Sequence, residues 1–302
     1  MEANQKEISY KTRNKSGILL SIIIPHYNRP GMLKKLLLSI PDIPWIQVIV
    51  VDDRSTEYLD EYAAVKSDFF EKRGYLFLDN PNKGTGSARN YGIKFAIGKW
   101  ITFADSDDWF TEDFEKIIIE HLNDPDDLIY FIPTSVKLVG NQSLSTRHMR
   151  YRNIAKNYIA LPTLRNEYLL RYDYWISVSK LINRKMIEEN NILYDEGSQA
   201  EDMIFSAKCG GYAKRIKVCD ETFYCITEHE GCISKFSDVK AEQTKYKEYI
   251  KYIKWVKSYV GWKGLFIMGW HRRYIHVMLA QVKRKLKAFI TKNETDKGWI
   301  AE

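Results

Sequence analysis

An α/β fold, a mostly parallel sheet flanked by helices with a basic helical extension at its C-terminal end, is predicted by three features of the 302-residue sequence. Short apolar, β-branched runs alternate with segments whose apolar residues recur at helical spacing, the signature of strand-helix-strand units. Two of those runs end directly in carboxylates, at the strand ends where open α/β sheets bind ligands. Beyond Lys240, Lys and Arg concentrate among Trp and Tyr in a helical pattern.

In chain order, residues 1–16 are a polar arm. Residues 18–24 are nearly continuous in apolar side chains and end at Pro25, which reads as a strand buried on both faces. Leu33, Leu36, Leu37 and Ile40 form one face of a helix over 32–40. A second strand, 45–51, ends in Asp52 and Asp53, and a mixed helix, 56–72, is closed by Gly74. Then come a third strand at 75–78, a helix at 87–97 closed by Gly98, and a fourth strand at 99–104. Phe114, Ile117, Ile118 and Leu122 mark a helix that stops before Pro125, and 128–132 is a fifth strand. The polar, Arg- and Tyr-rich stretch 134–166 reads as a loop over the site, 168–191 as helix in two pieces, 201–209 as the start of another helix, and 217–226 as one strand.

With 45% hydrophobic and 28% charged residues, the chain has the composition of an ordinary globular protein with a substantial core. No stretch approaches the roughly 18 apolar residues of a membrane span; the run 265–270 is stopped by Lys263 and by His271, Arg272 and Arg273. The polar N-terminus reads as no signal peptide, so the expected location is cytoplasmic, or peripheral on the inner face of the cytoplasmic membrane. Cys209, Cys219, Cys225 and Cys232 contain no C-x-x-C pair; reduced thiols account for them, and a zinc site with His229 is the alternative. The sequons at Asn141 and Asn293 have no secretory context. The net charge of +7, concentrated late in the chain, suggests a negatively charged partner.

Asp105, Asp107 and Asp108 place three carboxylates within four residues after the fourth strand. Like charges this close resist ionising together, so a folded chain keeps them solvated or bound to a cation. A divalent metal site fits, and so does an acidic turn capping a helix that begins near Thr111. The loop around Gly84 and Gly86 is not a dinucleotide fingerprint, because Arg89 holds the third glycine position and the loop follows the third strand. No G-x-x-x-x-G-K-[ST] loop occurs.

Four motifs in order carry further: Ser21-Ile22-Ile23-Ile24-Pro25-His26-Tyr27-Asn28-Arg29, Val50-Val51-Asp52-Asp53-Arg54-Ser55, residues Asn82 to Gly92, and Phe103-Ala104-Asp105-Ser106-Asp107-Asp108. Together they resemble the family 2 glycosyltransferases. The likeness extends through Glu196-Gly197, Glu201-Asp202-Met203 and Tyr224 to Ser234, covering residues 18–235. It implies the GT-A fold, a nucleotide-sugar donor, a divalent cation (Mn²⁺ or Mg²⁺), inverting transfer, and a bacterial surface-polysaccharide or lipopolysaccharide setting. Residues 17–235 are then the catalytic domain, with 17–133 as the nucleotide-sugar half, 134–235 as the acceptor half and 236–302 as the extension.

The same resemblance suggests roles. Pro25, Tyr27 and Arg29 line the nucleotide pocket, although Arg29 also reads as a surface charge. Asp53 accepts from the base, and a carboxylate facing an imide N–H favours uracil or thymine over cytosine, which points to a UDP-sugar. Lys83 leads into the donor pocket. Arg89 approaches it or pairs with Asp53 or Asp105. In the donor turn, Asp107 is the first metal ligand, Asp105 reaches the ribose or the metal through water, Ser106 lies between them, and Asp108 serves the metal or caps the helix. Asp202 is the general base and Glu201 orients it or touches the acceptor; the plainer account is that both complement a helix dipole. His229 contacts the metal or diphosphate, or is a satisfied core histidine.

In the extension, Tyr246, Tyr249, Trp255, Trp262 and Trp270 are interleaved with lysines and arginines. That composition suits an anionic inner-membrane surface, or a packed helical subdomain with a solvated basic face. Nucleic acid is not the expected partner; a glycan acceptor, lipid-linked, is. Two rivals remain. A sugar-phosphate nucleotidyltransferase wants a Gly-rich phosphate loop where this chain has Pro25 to Pro30. A non-catalytic nucleotide-sugar-binding or membrane-associated module would not need Asp202.

Overall fold

The computed structural model describes residues 17–138, 143–196, 201–229 and 239–282. The chain divides into two compact units, Met1–Glu248 and Tyr249–Glu302.

In the first unit, β1 (Leu20–His26), α1 (Pro30–Ser39), β2 (Ile46–Asp52), α2 (Leu59–Arg73), β3 (Leu76–Asp79), α3 (Thr85–Phe95) and β4 (Trp100–Phe103) follow the predicted alternation. β1 is central, pairing in parallel with β2 and β4 so that Ile22 lies between Val48 and Thr102. Its nearly continuous apolar run has a geometric reason. Leu20, Ile22 and Ile24 enter one core, with Leu33, Leu36 and Leu37 of α1. Ile23 enters the opposite core, with Ala88 and Ile93 of α3. A strand covered on both faces has no use for alternation. The α3 contact is close enough that a Cβ at Gly92 would lie 2.5 Å from Ile23 Cγ2. β1 continues through Pro25 to His26, one residue past the expected stop. Pro25 lies beyond the last β4 partner, Ile23, so its missing N–H breaks no ladder bond on that side.

The chain continues with β5 (Trp109–Phe110), α4 (Phe114–His121), β6 (Leu128–Tyr130), β7 (Thr134–Lys137), β8 (Ser143–Leu144), α5 (Met149–Ala160) and α6 (Leu164–Asp173). Next come β9 (Lys180–Asn183), α7 (Arg184–Glu189), α8 (Glu201–Tyr212), β10 (Ile216–Val218) and β11 (Tyr224–Glu228). The large sheet has the order β10-β6-β9-β4-β1-β2-β3, and a smaller sheet the order β5-β11-β7-β8. In the large sheet only β9 runs against its neighbours, antiparallel to both β4 and β6.

Three expectations for this half need correction. The stretch 134–166 is not a loop: it holds β7, β8 and α5, and α6 starts within it behind Thr163, whose side chain accepts from Asn166 N. Residues 168–191 are not all helical, because β9 is a central strand of the large sheet. Its buried Lys180 hides the apolar character of a four-residue strand that no Gly or Pro brackets. Residues 217–226 are not one strand but β10 and β11, which belong to different sheets.

The helix α9 (Val239–Met268) is non-helical at Gly261, where φ is 65°. Within the second unit, Tyr252, Ile253, Val256, Leu265, Met268 and Trp270 are buried, and Tyr252 meets Trp270 edge-on at 6.0 Å. Tyr259, Trp262 and Phe266, then Ile275, Leu279 and Val282 on the helix 271–282, are exposed. Among the described residues no helix is long and apolar enough to cross a membrane.

Candidate active site

The carboxyl ends of β1 and β2 are tied together first. His26 donates from Nδ1 to Asp52 Oδ1 at 2.9 Å, while its Nε2 accepts from Arg29 N at 3.2 Å, which fixes the ring tautomer. Burial pushes the Asp52 carboxyl up, but hydrogen bonds from His26 and from the side chain and backbone of Ser55 outweigh it and hold the group below its ordinary value. Asp53 accepts from Asn80 Nδ2 at 2.7 Å and from Gly84 N at 2.8 Å. Its carboxylate therefore pins the loop that leads into α3.

Arg89 is the hub of the site. It sits on the first turns of α3, its side chain is 3% exposed, and its guanidinium reaches three carboxylates. Nη2 donates to Asp105 Oδ1 at 2.6 Å; Nη1 donates to Asp202 Oδ1 at 3.1 Å and to Glu201 Oε1 at 3.2 Å. The Tyr194 ring lies 5.2 Å from the guanidinium carbon. Burial alone would weaken this cation, but Asp202, Asp105, Tyr194 and Glu201 hold it charged. α3 comes this near Asp195 and Glu201 because Gly86 has no side chain: a Cβ there would lie 3.1 Å from Asp195 O and 3.3 Å from Glu201 Cγ.

Glu201 opens α8 and is buried. Burial, then Asp202 and Asp105, push its carboxyl up to about 7 against the pull of Arg89. Burial likewise raises Asp105, with Arg89 opposing. Asp202 is held differently. Ser177 Oγ donates to its Oδ1 at 2.9 Å, so its bonds among the described residues fall on one oxygen, and 36% of the side chain faces solvent.

The turn after β4 sorts its three carboxylates. Asp108 N donates to Asp105 O at 3.0 Å, leaving Ser106 and Asp107 as the central residues. Asp108 folds inward, where its Oδ1 accepts from Thr227 N at 2.7 Å and its Oδ2 from Tyr224 OH at 2.8 Å. The same Tyr224 hydroxyl accepts from Asp105 N at 2.9 Å. Burial, Asp105 and Asp107 push the Asp108 carboxyl well above the usual range. The helix-cap expectation for Asp108 is corrected: the N-cap of α4 is Asp113, and no side chain caps it. Each Asp108 carboxylate oxygen accepts one hydrogen bond from β11.

Asp107 remains accessible, with 27% of its side chain exposed. His229 Nε2 lies 2.8 Å from its Oδ2 and 2.9 Å from Arg29 Nη1, and Arg29 Nη1 is 3.8 Å from the same carboxylate oxygen. One nitrogen cannot both donate to a carboxylate and accept from a guanidinium, so this trio competes for Nε2. An accessible carboxylate and an imidazole side by side fit Mn²⁺ or Mg²⁺, which usually takes few protein ligands and fills its shell with water and phosphate oxygens. Arg29 therefore stands at the Asp107 end of the site, bonded to His229, and is not a bare surface charge.

The remaining predicted residues scatter. Pro25 is buried within β1, while Tyr27 and Lys83 are exposed, and no contact among the described residues brings either against the carboxylates. Sequence reasoning did not single out Asn80, Ser177 or Tyr194; isolated polar or aromatic residues without a motif leave no signal. Cys209, Cys219 and Cys225 are buried free thiols, and none of them joins His229 in a metal-sized cluster among the described residues; Cys232 lies outside those residues.

A family model, Glycosyl transferase family 2, matches residues 21–189. Poly(ribitol-phosphate) beta-N-acetylglucosaminyltransferase TarS of Staphylococcus aureus is 28% identical over 223 residues, which are 70% of this chain and 36% of TarS. The chain thus spans about a third of that relative's length. The crystal structure of S. aureus TarS 1-349 in complex with UDP-GlcNAc matches with a TM-score of 0.65 at 20% identity, covering 87% of this chain and 73% of that one. Mannosyltransferase PcManGT from Pyrobaculum calidifontis, in complex with GDP-Man and Mn²⁺, matches with a TM-score of 0.52 at 12% identity, covering 97% and 86%. At these identities the two structures speak for the fold, which is GT-A. The family match ends before Glu201, Asp202 and His229, but the bonds to Arg89, Asp107 and Arg29 join those residues to it.

Proposed function

Because the chain belongs to glycosyl transferase family 2, we propose that it moves a sugar with inversion from a UDP-sugar to a glycan acceptor, lipid-linked, in bacterial surface-polysaccharide synthesis. The observation that carries this reading is the Arg89 bridge, which holds Asp105 at the β4 end and Asp202 at the start of α8 around one guanidinium. A donor-side carboxylate and a candidate base thereby share one rigid site.

In this reading Asp202 accepts the proton of the acceptor hydroxyl as it attacks the anomeric carbon on the face opposite the departing diphosphate. Arg89 and Ser177 hold one of its oxygens, and Glu201 supports Arg89 from the buried side. Asp107, with His229, would hold the divalent cation, which would supply Lewis-acid neutralisation of the departing diphosphate. Arg29 adds a second positive charge beside Asp107. Asp108 positions the turn through Tyr224 and Thr227. Asp53 accepts from the uracil imide while its other contacts fix the Gly84 loop. The UDP-GlcNAc complex of TarS supports a UDP-sugar.

For the extension, the exposed Tyr259, Trp262, Phe266, Ile275, Leu279 and Val282, accompanied by exposed Lys251, Lys254, Lys263 and Arg272, suit the surface of an anionic bilayer. That contact would bring the enzyme to a lipid-linked acceptor on the inner face of the cytoplasmic membrane.

The test is a panel of UDP-, GDP-, dTDP- and CMP-sugars with the purified chain and Mn²⁺. Metal-dependent turnover or slow hydrolysis of a UDP-sugar is expected. Asp202→Asn is expected to bind UDP as before and lose roughly 10²–10⁴-fold in turnover. Failure to bind UDP with metal present, or full turnover by Asp202→Asn, would sink the reading.

A further inference from the structure

A separate group of ligand-type side chains gathers where α4 ends and the chain passes from β10 to β11. His121, Cys219 and Glu221 each offer one ligand atom, and the three atoms lie within 4.8 Å of one another; among the described residues this is the only such group of three. His121 Nε2 is 3.3 Å from Glu221 Oε2 and 3.6 Å from Cys219 Sγ. On the other side of the ring, Nδ1 is 2.8 Å from Asp124 Oδ2, and Lys217 Nζ is 2.9 Å from that same oxygen. His121 and Cys219 are buried, while Glu221 is partly exposed and gives the cluster an opening to solvent.

Asp124 is the closer carboxylate and when ionised can only accept, and Lys217 Nζ stands farther from Nδ1, at 3.3 Å, so Nδ1 carries the hydrogen Asp124 receives. In the neutral ring Nε2 then turns a lone pair toward a carboxylate oxygen and a sulfur. A hydrogen lies between these atoms, on the thiol or on the ring, unless a cation takes its place. The spacing accommodates the cation. Tetrahedral zinc bonds of about 2.0–2.1 Å to nitrogen or oxygen and about 2.3 Å to sulfur set nitrogen and oxygen roughly 3.3 Å apart, and nitrogen and sulfur roughly 3.6 Å apart. Those are the two separations found. A metal-binding histidine whose other nitrogen donates to a carboxylate is also the usual way such a ring is oriented.

We propose that His121, Cys219 and Glu221 bind a zinc-type divalent cation, with Asp124 orienting His121, Lys217 balancing Asp124, and water in the fourth position. The mixed nitrogen, sulfur and oxygen set suits Zn²⁺ and not the hard cations Mg²⁺ or Ca²⁺. Cys219 N already donates to Tyr130 O, and Ile132 N to Glu221 O, so the backbone bearing two of the ligands is fixed beside β6. The ion would clamp the end of α4 to the crossover between the two sheets.

The test uses the full chain carrying Asp107→Ala, so that the other candidate cation site does not contribute. Titration with Co²⁺ is expected to reach one equivalent, with a thiolate-to-cobalt charge-transfer band that Zn²⁺ displaces. Adding Cys219→Ser should remove the band, and Asp124→Asn, which keeps all three ligands, should weaken Co²⁺ binding about 10–100-fold. A folded protein that shows no such band overturns the proposal, as does a band that survives Cys219→Ser. Doubly protonated His121 by NMR in zinc-treated protein overturns it as well.

Discussion

Arg89→Met replaces the buried cation at the centre of the site with an apolar side chain of similar length. The guanidinium holds Asp105 at 2.6 Å, Asp202 at 3.1 Å and Glu201 at 3.2 Å. Breaking a buried ion pair from one side costs about 3–5 kcal/mol, because the partner is left uncompensated. Three partners are left here, but Asp105 and Asp202 are partly exposed and can turn to water. The penalty therefore falls mainly on buried Glu201, and a loss of about 3–4 kcal/mol at about pH 8 is expected. The pH dependence gives the reasoning its signature. Burial, Asp202 and Asp105 already push Glu201 up to about 7, and losing Arg89 removes the influence that opposes them. A carboxyl raised in the folded state adds stability that is full below its unfolded value and is lost as pH rises through the folded one. The defect of Arg89→Met should thus shrink as the pH is lowered from about 8 to about 5, by roughly 1–2 kcal/mol or more relative to the parent. Urea unfolding of both proteins at the two pH values measures it, with turnover assayed in parallel. Equal losses at both pH values, or a loss below about 1 kcal/mol, would refute the idea that Arg89 is the counter-charge of Glu201.

Asp107→Asn should weaken Mn²⁺-dependent UDP binding about 10–100-fold and leave metal-free unfolding unchanged within about 0.5 kcal/mol, read by calorimetry with and without metal. Lys180 is fully buried over the Tyr130 and Tyr174 rings, donates to Tyr174 O, and is pushed by burial down to about 7. Since the unfolded chain keeps its proton up to the ordinary lysine value, the burial penalty is full below about pH 7 and fades as pH rises toward about 10.5. Lys180→Met should accordingly stabilise the protein by on the order of a few kcal/mol at about pH 6 and by little at about pH 10, measured by denaturant unfolding. In the extension, replacing Phe266 and Leu279 with Glu should reduce co-sedimentation with anionic vesicles and not affect UDP binding; unchanged sedimentation would remove the membrane reading.

Apart from the two-residue β5, elements in the first 133 residues were legible because each carries a complete local signal. The run 18–24 is apolar but for Ser21 since β1 feeds both cores, and Gly74, in the left-handed conformation at φ 63°, ends α2 where the pattern stops. After residue 133 those signals fail one by one. β9 carries Lys180 in its interior, and β10 and β11 are separated by only five residues, so their apolar residues merge into one apparent strand. Membership of different sheets is decided by partners far away in sequence, Leu128 for Ile216 and Thr134 for Cys225. No local pattern contains that information.

The carboxylates of the candidate site were visible as types but not as partners. Asp105, Asp107 and Asp108 look equivalent in a row; the turn that turns Asp108 inward depends on Tyr224 and Thr227, more than a hundred residues on. Arg89 offered two ion pairs from sequence, to Asp53 or to Asp105, and Gly86 decides between them. By letting α3 approach Tyr194, Asp195 and Glu201 it brings Glu201 and Asp202 to the side of Arg89 that Asp105 occupies, while Asp53 is bound to Asn80 and the Gly84 amide. A side chain at Gly86 would push against Asp195 O and Glu201 Cγ and separate the two halves of the site. Gly86→Ala should therefore lower turnover by disturbing Asp202 while leaving the Asp107 and His229 end, and with it metal-dependent UDP binding, as it was. A loss confined to UDP affinity would place the role of Gly86 in the donor loop instead.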